Sequence, residues 1–349
     1  LKSPKVIDFT SLNAKIEDFF IKGANVTTFI DELTFKDHRG LEVKKLTADF
    51  TYTKKNILLE QLAMNTPNSE MKGRVELKYD RKDFSDFNNK VVFDVEFDKA
   101  SIASNDLNFF YNEFGKNNIF YVDTHLVGTL NNFTTHNLKL TDKNQSEIIG
   151  TANFQNLFGK ENQEFYMKGS FDRITSDYEA LKIIMPRVLG KNLPSVLAKL
   201  GRVDLNGDVE LTQKYINANV YLLSKLGIVD GDLAIQNIDN IDNASYQGNI
   251  KLDNFDLGTL LSEKDLGKTT LDLDVDGKGF TQKLLNTSIE GTIKKFYYNG
   301  YNYQNVTVDG SMKMPYYKGY FNSNDPNLKM DFDGVIDLSN KASNYDFKA

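Results

Sequence analysis

Apolar and polar residues alternate along most of this chain with a period of two. In the clearest example, the even-numbered positions from 328 to 338 are apolar or glycine, and the positions between them are mostly Lys and Asp. Successive side chains of a β-strand point to opposite faces, so the pattern predicts a strand with one apolar and one polar face. The positions on the apolar side are Leu328, Met330, Phe332, Gly334, Ile336 and Leu338.

The same alternation recurs at residues 71–79, 91–97, 120–130, 203–211, 216–222, 271–277 and 306–314. Repeated half-buried strands of this kind are typical of an antiparallel all-β protein. We therefore predict an all-β fold with a few short helices.

Glycines recur in phase with the apolar side of these strands. A glycine inside a strand usually marks a bend, a bulge or a close approach of two backbones. We expect the sheet to bend toward its apolar face at these points, although single members could instead be strand ends. Gly319 is expected to be an exposed glycine outside this set. The in-phase glycines are Gly73, Gly128, Gly150, Gly169, Gly207, Gly231, Gly248, Gly277, Gly291, Gly310 and Gly334.

A long series of two-faced strands can bury its apolar side in two ways. Two sheets can seal against each other as a sandwich, or one sheet can curl into a groove with an apolar interior. Large inward residues combined with glycine bends favour one long curled sheet that forms a hydrophobic groove (a β-taco). The predicted lining residues are Val75, Leu77, Val209, Leu211, Val220, Ile250, Leu252, Leu273, Val275, Val308, Met312, Leu328, Met330, Phe332 and Ile336.

No linker-like stretch or change of composition divides the chain, so residues 1–349 are expected to form one continuous β-groove segment. Short helical insertions are predicted near 105–115 and 176–200, with a further helical turn at 257–261. Ser176 and Glu179 have the spacing of a capping box, and Gly201 would end the second insertion. The chain begins at Leu1 and ends at Ala349 within an alternating pattern. We therefore expect a segment of a larger protein whose membrane anchor lies elsewhere.

Composition excludes several classes of protein. The formal net charge is −6, which argues against nucleic acid as the main partner, because nucleic-acid-binding domains are usually basic. The sequence has no run of 18 apolar residues and therefore no candidate transmembrane helix. Cysteine is absent, which excludes disulfides, thiolate metal sites and cysteine nucleophiles.

Catalytic motifs are not found in the sequence. His38, His125 and His136 lack the spacing of a metal cluster, and no nucleophile elbow or phosphate-binding glycine loop occurs. We expect a protein that is not an enzyme and needs no cofactor or metal. Asp272, Asp274 and Asp276 resemble the start of a calcium loop, but position 283, where a closing Glu is required, is Lys. A strand with an acidic outer face explains these three residues without calcium.

Five segments resemble the TamB proteins of Bacteroidetes-type bacteria. They are residues 31–46 (DELTFKDHRGLEVKKL), 57–73 (ILLEQLAMNTPNSEMKG), 246–261 (YQGNIKLDNFDLGTLL), 300–306 (GYNYQNV) and 325–330 (DPNLKM). The resemblance is one of pattern over most of the chain, and it corresponds to a middle segment of such a protein. It carries no catalytic signature.

The TamB family is related to AsmA-like proteins and is similar to bridge-like lipid-transfer proteins. The resemblance implies a β-groove that crosses the periplasm of a Gram-negative bacterium and links the inner and outer membranes. It also implies phospholipid acyl chains as cargo and a BamA-superfamily (TamA-like) barrel as a partner, bound through parts outside this chain. The N-terminal anchor and the C-terminal region of the family are expected to lie outside this segment.

Two functional hypotheses follow. In the first, the groove conducts phospholipid acyl chains while the headgroups stay in water, and so contributes to outer-membrane biogenesis. In the second, the chain is a structural or chaperone-like scaffold that assists outer-membrane protein assembly, with strand pairing at its edges. A continuous apolar lining without inward charges favours conduction, whereas a self-sealed interior favours the scaffold. A carbohydrate-active enzyme would need converging inward carboxylates, and the pattern contains none.

Overall fold

The computed structural model describes residues 9–109, 115–157, 163–184, 195–238, 240, 243–279, 284–313, 315–337 and 345–348, the last without side chains. The chain divides into two compact units, Leu1–Lys191 (unit 1) and Asn192–Ala349 (unit 2). The two units are described separately.

Unit 1 is an antiparallel meander in which each strand pairs with the next along the chain. Its strands are β1 (Phe9–Lys22), β2 (Asn25–Asp37), β3 (Glu42–Tyr52), β4 (Asn56–Asn65), β5 (Glu70–Lys78), β6 (Val92–Ala103), β7 (Ile119–Thr129), β8 (Asn132–Asp142), β9 (Glu147–Gln155) and β10 (Tyr166–Ser176). A 3-10 helix (Arg81–Asp86) and the helices α1 (Phe87–Lys90), α2 (Ser104–Leu107) and α3 (Tyr178–Ile184) interrupt or follow the strands.

Unit 2 repeats this arrangement. A 3-10 helix (Ser195–Leu200) precedes the strands β11 (Val203–Thr212), β12 (Tyr215–Ser224), β13 (Gly227–Gln236), β14 (Ser245–Asp256), β15 (Leu266–Lys278), β16 (Asn286–Tyr298), β17 (Tyr301–Lys313), β18 (Tyr316–Asn324), β19 (Lys329–Asp337) and β20 (Tyr345–Lys348). The helix α4 (Leu257–Leu261) lies between β14 and β15. Consecutive strands again pair antiparallel.

The predicted fold class, a long curled antiparallel sheet with a few short helices, is confirmed. The local sequence explains the short connections. Asn299 and Gly300, with φ of 45° and 85°, form the two-residue turn between β16 and β17. Asn-Gly is the preferred sequence for such hairpin turns, because both residues tolerate positive φ. The expectation of one continuous groove over 1–349 stays a prediction.

Bulges shift the phase of the apolar pattern within many strands. Between β6 and β7 the register slips between Phe97 and Ala100, and Lys99 within the bulge has a φ of 49°. Gln61 and Asn254 lie in equivalent bulges of β4 and β14. A bulge adds one unpaired residue and bends its strand. Apolar residues on both sides of the bulge therefore keep facing the same side of the sheet, although the period-two pattern in the sequence is broken.

Several of the glycines have backbones that leave no room for a side chain, and Gly248 and Gly319 are two of them. Gly248 has a φ of +141°, and a Cβ there would lie 1.9 Å from the Asp232 carbonyl oxygen on the neighbouring strand. The expectation that Gly319 is exposed is wrong. Gly319 is half-buried, pairs with Gly310 and Gly334, and has a φ of +148°. Gly319 lies on the apolar face because the turn between β17 and β18 changes the phase, so that odd positions of β18 pair with even positions of β17.

The helical insertions differ in detail from their prediction. Near 105–115 the described helix is only α2, and residues 110–114 lie outside the described part of the chain. The capping residue of α3 is Asp177, whose Oδ1 accepts the Ala180 N–H at 2.9 Å. Ser176 was the predicted cap, but its Oγ instead lies 3.0 Å from Ser146 Oγ and is fully buried. The predicted turn at 257–261 is α4.

Candidate functional site

Unit 2 places four rows of mostly apolar residues on one face of its sheet, which we call the apolar face. Each row follows the strand register from β11 to β19. The central row is Gly207, Val220, Gly231, Ile250, Leu273, Gly291, Val308, Phe321 and Phe332. One neighbouring row is Leu205, Leu222, Val229, Leu252, Leu271, Ile293, Val306, Ser323 and Met330. On the other side lie Val209, Ala218, Leu233, Gly248, Val275, Ile289, Gly310, Gly319 and Gly334, then Leu211, Ile216, Ile235, Tyr246, Gly277, Thr287, Met312, Tyr317 and Ile336.

The structure brings twelve of the predicted lining residues together on this face: Val209, Leu211, Val220, Ile250, Leu252, Leu273, Val275, Val308, Met312, Met330, Phe332 and Ile336. Leu328 is different, because it lies in the turn before β19, where its N–H and carbonyl oxygen both bond to Asp325. Val75 and Leu77 belong to unit 1, where Val75 packs against the core cluster around Val43 and Leu46. The role of all these predicted lining residues in binding an acyl chain stays a prediction.

Accessibility varies across the apolar face. Leu273, Val308 and Phe332 are 8%, 4% and 3% exposed. The packing partners of Leu273 and Val308 all come from β14 to β18, so adjacent strands of the same sheet bury them. Other side chains of the face, among them Val220, Met312, Met330 and Ile336, are only half-buried. Tightly packed and more accessible positions are therefore interspersed across the face.

Helical elements cover one end of the apolar face. Leu197 and Leu200 of the 3-10 helix and Leu260 of α4 pack in one cluster with Leu252 and Phe255 of β14. Lys199 ties the two elements together, because its Nζ donates to the Leu260 carbonyl oxygen at 2.7 Å. This hydrogen bond holds the 3-10 helix and α4 together over the strand ends.

The opposite face of unit 2 is acidic. Its central row across β11 to β19 is Asp208, Asn219, Asp232, Asn249, Asp274, Glu290, Asp309, Tyr320 and Asp333. A cavity of about 600 Å³ lies on this side, lined by carboxylates that include Asp232, Asp276 and Glu290. The two faces of the sheet therefore differ sharply in polarity.

The calcium-like triplet lies on this acidic face, as predicted. Asp272, Asp274 and Asp276 alternate along β15, and Asn249 Nδ2 lies 3.0 Å from one carboxylate oxygen of both Asp272 and Asp274. Lys283 lies outside the described residues. Among the residues that the structure describes, no group of three or more His, Asp or Glu side chains is arranged to hold a metal ion.

The polar face of unit 1 holds an ionic network around Asp94. Its carboxylate accepts hydrogen bonds from Lys78 Nζ at 2.8 Å and pairs with His125 Nε2 at 2.9 Å, and these two contacts lower the pKa of Asp94. Burial raises the pKa of nearby Glu76, but hydrogen bonds from Asn56 and Arg74 outweigh it and the net shift is downward. Both carboxylates are thus held ionised by partners on the same strand or on adjacent strands.

The other histidines have structural surroundings. The His136 ring lies 5.9 Å from the His125 ring across the β7–β8 pair, centroid to centroid. His38 Nδ1 lies 3.4 Å from Asp37 Oδ2 in the turn after β2. The prediction that the histidines have no catalytic role is not tested by these contacts.

Sequence reasoning missed the residues that lie beyond bulges or outside strands. Phe255 is 2% exposed and packs under α4, but the bulge at Asn254 takes it out of phase with Ile250 and Leu252. The sequence signal for such a bulge is an Asn within an otherwise alternating segment, because Asn tolerates positive φ. Leu197 and Leu260 gave no strand signal, because they belong to helical elements.

No helix in the described part of the chain is both long and apolar enough to cross a membrane. Comparison with protein families, with curated proteins and with solved structures finds no match.

Proposed function

We propose that the apolar face of unit 2 binds phospholipid acyl chains, and that the chain contributes to phospholipid transport across the periplasm between the inner and outer membranes. One observation carries the proposal. Four apolar rows run in register across nine strands on one face of the sheet, and the opposite face is acidic. Location in the periplasm and partnership with a BamA-superfamily barrel rest on the sequence resemblance alone.

The energetics favour a ligand made of methylene groups. Each buried CH₂ gains about 0.8 kcal/mol, and the gain does not depend on orientation, so a chain could slide along rows of similar side chains. Met312 and Met330 suit such a surface, because an unbranched thioether adapts to changing neighbours. Val220 and Ile336 are also half-buried and offer accessible apolar area. A headgroup would remain in water.

A second candidate is supported by the tightly packed positions of the face. Leu273, Val308 and Phe332 are almost fully buried by their own sheet. Side chains that are already buried would gain little further burial from a ligand. A self-sealed sheet would act as a scaffold for outer-membrane protein assembly. The two candidates differ in whether lipid contacts the half-buried side chains.

Met312 and Ser311 are adjacent on β17 and lie on opposite faces, which gives a matched test. A photo-crosslinking residue at 312 should capture phospholipid in cells, and the same residue at 311 should not. Met312→Asp should lower the phospholipid that copurifies with the chain in native mass spectrometry, because a carboxylate must be desolvated beside an acyl chain. Ser311→Asp adds the same charge on the polar face and should leave lipid content unchanged. Capture at both positions or at neither would reject conduction and favour the scaffold.

A further inference from the structure

The connections at one end of the unit 2 strands form a continuous surface, which we call the loop end. It comprises residues 195–202, 224–227, 256–268, 294–304 and 324–329. Backbone hydrogen bonds join these segments. Lys225 N donates to Leu200 O at 3.3 Å, and Asn299 N donates to Asp265 O at 2.8 Å. Tyr301 Oη donates to Asp325 Oδ1 at 2.8 Å.

The loop end is basic, although unit 2 carries an acidic face. Its five segments hold eight Lys or Arg residues and four Asp or Glu residues. Two of the four acids are already satisfied. Asp325 is fully buried and accepts hydrogen bonds from Tyr301 and Gln304, and Asp256 accepts from Thr259. The donors to these two carboxylates are neutral, so both keep their negative charge, and eight cations against four carboxylates give the loop end a formal net charge of +4.

Several of these lysines are available for a ligand. Within the described residues, six exposed lysines of the loop end form no ion pair with a carboxylate: Lys225, Lys264, Lys268, Lys294, Lys295 and Lys329. They are distributed over four of the five segments rather than gathered around one point, and Lys294 and Lys295 lie in β16 near its turn end. Lysine is a flexible point charge, and a spread of such charges fits many mobile phosphates better than one rigid anion.

Exposed apolar side chains lie among the lysines. Leu261 at the end of α4 is 53% exposed, Tyr298 at the end of β16 is 45% exposed, and Val196 of the 3-10 helix is 39% exposed. Tyr298 pairs in register with Leu266, which follows the α4 loop, so Leu261 and Tyr298 belong to neighbouring connections. Tyrosine is enriched at membrane–water interfaces, where its ring lies at headgroup level.

We infer that the loop end of unit 2 docks on a bilayer surface that contains anionic phospholipid. The lysines would contact headgroup phosphates, and Leu261 and Tyr298 would enter the headgroup region. Exposed lysines spread over several segments, with Leu261 and Tyr298 among them, match a surface that carries many phosphates above an apolar layer. The inference concerns a different surface from the apolar face and does not depend on acyl-chain binding there.

The probe is sedimentation of the whole chain with vesicles of equal parts phosphatidylglycerol and phosphatidylethanolamine, with phosphatidylcholine vesicles for comparison. Binding to the anionic vesicles should exceed binding to the neutral ones at least tenfold and should weaken as salt is raised, because salt screens exposed charges. The double variant K294E/K295E should lose at least tenfold in affinity. Tyr298→Ser should weaken binding several-fold at every salt concentration, because it removes apolar contact and no charge.

The matched control is K214E/K318E, which makes the same change in net charge at exposed lysines outside the loop end. It should bind anionic vesicles with at least a third of the wild-type affinity. Equal losses in the two double variants would overturn the inference, as would equal binding to both kinds of vesicle. Failure to bind vesicles, together with salt-sensitive binding to polyglutamate, would assign the loop end to an acidic protein instead. Unchanged melting temperatures of the variants would show that the comparison is between folded proteins.

Discussion

Gly319 lies directly opposite Gly310 across the β17–β18 pair, and a Cβ at position 319 would lie 2.4 Å from both the Gly310 Cα and the Asp309 carbonyl oxygen. These distances are far below van der Waals contact with backbone atoms that belong to a paired strand. The close approach of the two strands at this point therefore depends on the absence of a side chain, as well as on a φ of +148°.

Gly319→Ala should lower the free energy of unfolding by about 3 kcal/mol, because backbone has to move and the φ is unfavourable. Gly300 provides the control, since its φ is +85° and nothing lies within 4 Å of a Cβ there. Gly300→Ala should cost about 1 kcal/mol, which is the conformational part alone. Urea unfolding of both variants measures the difference, and equal losses would contradict a packing role for Gly319.

Phe332→Asp should destabilise the protein by about 4 kcal/mol, because it removes a buried aromatic ring and places a carboxylate at a position that is 3% exposed. Asp331 is adjacent, exposed and on the opposite face. Asp331→Lys should change stability by no more than about 0.5 kcal/mol. Chemical denaturation of the two variants is the measurement. A tolerated Phe332→Asp would indicate that the apolar face around Phe332 is open to water.

Asp94 should make the stability of the protein depend on acid pH. Its pKa is lowered in the folded state, first by the hydrogen bond from Lys78 and then by His125. Its contribution is therefore fully present above the unfolded pKa of about 3.9 and is lost as the pH falls through the lower folded value. Asp94→Asn should cost about 1–2 kcal/mol at pH 7 and much less near pH 2.5.

Asp123 on β7 is exposed and serves as the control for this pH dependence. Asp123→Asn should have little effect on stability at either pH. If the loss caused by Asp94→Asn were the same at both pH values, the ionised carboxylate would not be the source of the stabilisation.

Calcium should have no effect on stability through Asp272, Asp274 and Asp276. These carboxylates alternate along one strand, and Asn249 already donates to two of them. Thermal melting with millimolar calcium and with chelator should give coincident curves. A rise of several degrees with calcium that Asp274→Asn abolishes would show that a site forms in solution.

The sequence by itself determined the fold class and the sidedness of the strands. Alternation at positions such as Val308 and Met312 is a local property, because neighbouring side chains of a strand always point to opposite faces. The same rule correctly assigned Asp272 and Asp274 to the polar face. Strand pairing could then be inferred from order along the chain, since most connections are short.

Tertiary structure decided which apolar residues are buried and which are accessible. Phe332 and Met330 carry the same signal in sequence, yet Phe332 is nearly fully buried and Met330 is only half-buried. The difference arises because burial depends on how neighbouring strands curl together, which involves partners far away in the chain. Bulges such as the one at Asn254 and the close contact of Gly319 with β17 also depend on the adjacent strand, so the chain reveals them only when it is folded.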